Sequence, residues 1–200
     1  METKPLVYSI EDADHLRRVL GGAGFPLEQW GEGTTKTYQD LWDEIASGES
    51  ELTCPETFEE RDAYGDIVRR TNVLGIDIFA EVDGVWYHLR EDRQVFKNGK
   101  GEKRRNLTTS IGEKIKRDEN HDTAILRAVQ EELGVSDILS IEQGEITELW
   151  KPVTPSYPEL PSRLDIYKYS ITLGLEDFRP EGYIEDQETK QIFFVWDEVN

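Results

Sequence analysis

One cysteine, Cys54, stands in 200 residues, so an intramolecular disulfide is excluded. No Cys/His grouping has the spacing of a zinc site, and His15, His88 and His121 are scattered. Positive charge is scarce: 23 Lys and Arg face 42 Asp and Glu, a formal net charge of −19. Duplex binding needs clustered Lys and Arg, so a broad phosphate-backbone footprint is excluded. An anionic small molecule is not excluded, because divalent cations supply positive charge locally. Long apolar runs are also missing: none approaches the ~18 residues of a membrane span. There is no leader pattern at the N-terminus, which predicts a soluble, cytoplasmic protein without a membrane partner. No GxSxG, P-loop or GxGxxG motif occurs, and no repeat.

What is present suffices for a packed core: 36% hydrophobic residues, with 5 Trp, 8 Tyr and 7 Phe. The length is generous for one small domain and short for two. The informative stretch is Asp122 to Val135, DTAILRAVQEELGV. Asp122 suits a helix cap, the interior favours helix, and Gly134 suits a helix end. Arg127 and Glu131 stack at i,i+4, as do Ile125 and Val129. Glu131 and Glu132 lie about 100° apart on the helix surface, so both can lean over one edge. Glu119 stands just before the helix.

This segment resembles the Nudix box: Gly, five residues, Glu, seven residues, then Arg-Glu-apolar-any-Glu-Glu-any-Gly-apolar. Arg127, Val129, Glu131, Glu132, Gly134 and Val135 match, and Glu119 falls at the required distance before Arg127. Two positions depart. Glu113 stands where the leading Gly belongs, with Gly112 one residue early, and Ala128 replaces the Glu after Arg127. The resemblance implies a Nudix-type α/β/α sandwich with a mixed sheet. It implies a pyrophosphohydrolase using Mg²⁺ or Mn²⁺ on a nucleoside diphosphate linked to another moiety. Two adjacent phosphates repel a nucleophile, so cations must neutralise them, and hard cations take carboxylate and carbonyl oxygens.

Residue by residue, Glu131 and Glu132 carry the family's metal-ligand positions and Arg127 the arginine that orients them. Glu119 matches the supporting Glu, and Gly112 is placed to lend a carbonyl. With Ala128 in place of an acid, a replacement ligand is open among Glu113, Glu185, Asp186 and Glu188. The alternative is a catalytically impaired nucleotide-binding sensor or adaptor. Oligomeric state stays open, a homodimer included. TTSIGEKI and ELGV also loosely resemble isopentenyl diphosphate isomerases, whose catalytic cysteine has no well-placed counterpart here.

The remaining chain reads as scaffold. Residues 1–62 form an N-terminal extension packed on a core domain of 63–200. A helix is expected from Ser9, as cap, to Leu20, and another from Thr37 to Ala46 with Tyr38, Leu41, Trp42 and Ile45 on one stripe. Residues 66–82 alternate and are β-branched, and Asp83-Gly84 signals a hairpin into VWYHLRE. Further strands are expected in NLTTSIGEKI, Ile138–Leu149, Leu164–Leu173 and QIFFVWDEV. The loop KNGKGEKRRN concentrates Lys97, Lys100, Lys103, Arg104 and Arg105, either as a solvated tip or as a collar for phosphates. Arg90 or Arg93 is another basic candidate. Tyr157, in a loop with four prolines, could stack on a base or pack against the prolines, and residues 181–188 read as an acidic loop.

Overall fold

A computed structural model describes residues 6–97, 99, 101–105, 107 and 109–199. Lys100 of the basic loop, and Asn106 and Thr108 of the strand expected after it, lie outside the described residues. The chain is mixed α/β, with a large antiparallel sheet and four α-helices among the described residues. Two compact units divide it. One takes the chain up to Asn72 with Lys114–Asp118 and Glu148–Ile166; the other takes Val73–Glu113, Glu119–Thr147 and the chain from Tyr167.

In the first unit, β1 (Leu6–Val7) pairs antiparallel with β2 (Glu51–Cys54), which pairs with the start of β3 (Val68–Val82). Helix α1 (Ala13–Gly22) starts later than expected: Asp12, not Ser9, is the cap, its side chain accepting from His15 N at 2.6 Å. Helix α2 (Tyr38–Ala46) begins where the sequence places it, with Thr37 and Asp40 forming a reciprocal capping box. A second capping box, Thr57 and Glu60, starts the short α3 (Phe58–Tyr64), which the apolar pattern does not reveal. Leu16, Leu20, Leu41, Leu52 and Leu160 make the unit's core.

Glu44 is buried beside that core, and its charge is compensated. Arg69 donates to it at 2.6 Å, Lys36 at 2.6 Å and Lys114 at 3.1 Å, and Ser50 and Tyr157 hydroxyls add hydrogen bonds. Burial alone would raise the Glu44 carboxyl, but Arg69 foremost, with Lys36 and Lys114, holds it well below the usual range. Desolvation and the facing Glu44 push the Tyr157 phenol far above its ordinary value. Tyr157 is 1% exposed, so it has no free ring face for a base. Its ring packs on Trp30, with centroids 5.2 Å apart, and under the Arg69 guanidinium at 5.4 Å, while its hydroxyl donates to Glu44 at 3.0 Å.

In the second unit the rest of β3 turns into β4 (Val85–Phe96) through Asp83 and Gly84, both at positive φ (52° and 80°), the two-residue turn that suits strand twist. Strand β5 (Glu102–Lys103) adds to β4, and β6 (Ile111–Lys114) pairs with β3. Helix α4 (His121–Leu133) follows. Strand β7 (Ile138–Lys151) pairs with β8 (Ser162–Leu173), and β9 (Tyr183–Asp186) and β10 (Lys190–Val199) continue from β4 in the order β4–β10–β9. The stretch read as an acidic loop therefore contains a strand, recruited by pairing to the edge of β10. Between Arg93 and Glu91 the β4–β10 register shifts, leaving Asp92 in a bulge. Among the described residues, no helix is long and apolar enough to cross a membrane.

Candidate functional site

Helix α4 presents two faces. Ala124, Ile125, Ala128, Val129 and Leu133 are buried, while Leu126 and Gln130 face outward. Asn120, not Asp122, caps it by accepting from Thr123 N at 2.8 Å, which leaves Asp122 in the first turn. Gly134 ends the helix in the left-handed region at φ 68°, where a side chain is strained. Ala128 is 1% exposed, so this position faces apolar packing. Its i,i+4 neighbour Glu132 extends the same stripe to the edge of the sheet and is half-buried.

Arg127 gathers three acids. Its Nε and Nη2 donate to both oxygens of Glu119 at 2.8 and 3.0 Å, and Nη1 donates to Glu113 at 2.8 Å and to Glu131 at 3.3 Å. The side-on pair with Glu119 is the largest cause that raises its already high pKa, so the fork stays charged. Glu131 is the most solvated of the three.

Beside this clamp lies a cavity of about 250 Å³, lined by Glu91, Arg105, Gly112, Glu113, Glu131, Glu132, Glu185 and Lys190 among others. Glu91 is the residue that sequence reading missed. It is 5% exposed, bound side-on by Arg105, whose Nε donates to it at 2.8 Å. The signal was available: alternation along β4 puts Glu91 on the same buried face as Leu89. The Glu132 carboxyl is pushed up to about 8, first by burial and then by the charges of Glu185 and Glu113, with Arg105 acting against them. Glu185 carries a buried oxygen, Oε2, without a hydrogen-bond partner, while its Oε1 accepts from Gln187 at 2.7 Å.

The basic candidates divide. Arg105 reaches the cavity. Arg104 pairs with Asp92 at 2.6 Å, and Arg90 pairs with Asp197 and Asp92, so both serve the bulge. Hydrogen bonds from Arg93 and Arg90 hold Asp92 below its ordinary pKa. Lys97 pairs with Asp186 at 2.7 Å, and Glu188 lies exposed in the β9–β10 turn. These pairings favour the solvated-tip reading of the loop over a collar of free cations.

The donor set fits a hard divalent cation on one count and falls short on another. Glu132 and Glu185 bring carboxylates together where charge is costly, and an orphaned oxygen is in place. Among the described residues, no group of three His, Cys, Asp or Glu is arranged to hold a metal. Arg127 takes Glu113 and Arg105 takes Glu91, so the fit is that of a two-carboxylate site.

No protein-family model and no curated protein matches the chain. Among solved structures it is similar to Caenorhabditis elegans Ap4A hydrolase, at 12% identity over 64% of this chain and 79% of that one, TM-score 0.32. It is also similar to the NUDIX domain of Shewanella oneidensis NrtR, crystallised with ADP ribose, at 14% identity over 70% and 82%, TM-score 0.36. A NUDIX-family hydrolase from Clostridium perfringens gives 14% identity over 63% and 79%, TM-score 0.32. Each is a likeness of fold at a low TM-score, and the chemistry of the cavity is read from this chain's own side chains.

Proposed function

We propose that the chain is a divalent-metal-dependent hydrolase that cleaves the pyrophosphate bond of a nucleoside diphosphate linked to another moiety. One observation carries the reading: half-buried Glu132 faces Glu185 and Glu113 across a polar cavity, and its carboxyl is pushed up to about 8. Acids crowded this way are relieved by a proton or a cation. Glu132 and Glu185 would hold Mg²⁺ or Mn²⁺. Such an ion, when bound, neutralises adjacent phosphates and polarises the leaving oxygen. Arg127 keeps Glu113 and Glu131 beside the cavity, and Glu119 locks the fork in place. Arg105, held by Glu91, and Lys190, which also lines the cavity, offer positive charge for phosphate oxygens.

Nucleotide sugars, dinucleotides, dinucleoside polyphosphates and nucleoside triphosphates, each with Mg²⁺ and Mn²⁺, form the test panel. Turnover of at least one, lost in Glu132→Gln, is the expected result. No turnover anywhere, or turnover untouched by Glu132→Gln, overturns the reading. A non-catalytic nucleotide sensor is the second reading, favoured by the absence of a three-acid group among the described residues and by the buried Ala128. It predicts that nucleotide raises the melting temperature while no product forms.

A further inference from the structure

The first unit holds a cavity of about 480 Å³, within the usual range for small-molecule sites. Its walls are Val7 at the end of β1 and Tyr8 to Ile10 after it, Trp42, Ile45 and Ala46 at the end of α2, Glu51 and Leu52 of β2, and Arg117. We propose that this cavity binds a small planar aromatic anion, independently of the cavity beside α4.

Four observations support it. Tyr8 and Trp42 pack against the core yet stay partly exposed at the cavity, so aromatic surface is available for an apolar guest. Arg117 has no hydrogen-bond or ion-pair partner among the described residues, in a chain of 42 acids against 23 bases. Glu51 is already matched by Arg70 at 3.6 Å, so the cavity's one acid does not cancel Arg117. The main chain and Cβ of Arg117 are also closely packed. Gly48 (φ 79°) lies so close that a Cβ there would stand 2.4 Å from the Arg117 Cβ, and nearby Ile115 is buried and hydrogen-bonds Asn72 O at 3.0 Å. An arginine held at the mouth of an aromatic-walled cavity suits a ring with a carboxylate or a phosphate.

Isothermal titration of the full chain with adenosine monophosphate and with indole-3-acetate tests this, with adenosine and inorganic phosphate as controls. Binding of at least one acid is expected, weakened about tenfold or more by exposed Arg117→Ala and by cavity-filling Ala46→Phe, and unchanged in Glu132→Gln. The tighter acid then tells phosphate from carboxylate. The proposal fails if neither acid binds at millimolar concentration, or if adenosine or phosphate alone binds as tightly. It fails equally if binding follows Glu132→Gln, or if Arg117→Ala lowers the melting temperature without touching affinity, since Arg117 then serves only the C-terminal end of α2. Loss of the catalytic reading would leave this result unaffected, because the two cavities share no residue.

Discussion

Arg127 binds three carboxylates through one planar fork, and a lysine in its place would lose the side-on geometry. Removing it leaves Glu113 and Glu119, neither fully solvated, facing each other's charge. Arg127→Ala is expected to cost about 2–4 kcal/mol in chemical denaturation, and Arg127→Lys to recover less than half of that. A lysine variant as stable as the parent would show that the fork geometry is idle. Glu132 titrates in the opposite sense from a salt-bridged acid. Its carboxyl sits near 8 in the folded chain against an ordinary 4.5, so the folded state holds the proton more tightly between those values. Stability contributed by this group is therefore present at low pH and declines as pH rises through that window. Glu132→Gln should flatten the decline, melting higher than the parent above pH 8 and no higher near pH 4.5. Parallel melting curves for the two proteins across that range would sink the assignment.

At the scale of elements, Gly134 decides where α4 stops. Its φ of 68° lies in the region that costs other residues strain, so Gly134→Ala is expected to lose about 1 kcal/mol by urea denaturation. A neutral effect would mean that the helix end refolds around alanine. This stop was legible in the sequence, as were the i,i+4 stack of Arg127 and Glu131, the Asp83-Gly84 hairpin and the start of α2 at Thr37. All depend on neighbours in the chain. Cap choice was less legible, because Ser9 and Asp12, or Asn120 and Asp122, are equally good oxygens and only geometry selects one. Long-range pairings were not legible at all. Glu113 binding the arginine that Glu131 was expected to hold, Arg105 reaching Glu91, and Tyr157 reaching Glu44 join residues whose separation carries no periodic signal. Strand β9 escaped because its acids look like a loop until β10 pairs with it.

Across the whole molecule, a net charge of −19 works against compactness, since like charges spread over one small surface repel. Raising ionic strength from about 0.01 to 0.15 M shortens the screening length from roughly 30 to 8 Å. The melting temperature should therefore rise with NaCl. Buried pairs such as Glu44–Arg69 are screened little and should contribute equally at both salt levels. Magnesium at matched ionic strength separates general screening from site binding. A cation held by Glu132 and Glu185 binds the folded chain alone, so stability grows with the logarithm of its concentration beyond its dissociation constant. The parent should melt higher in MgCl₂ than in NaCl of equal ionic strength, and Glu132→Gln should keep the NaCl response while losing the magnesium increment. Equal curves in the two salts, or an increment that survives in Glu132→Gln, would take the cation away from these carboxylates and leave surface screening as the whole effect.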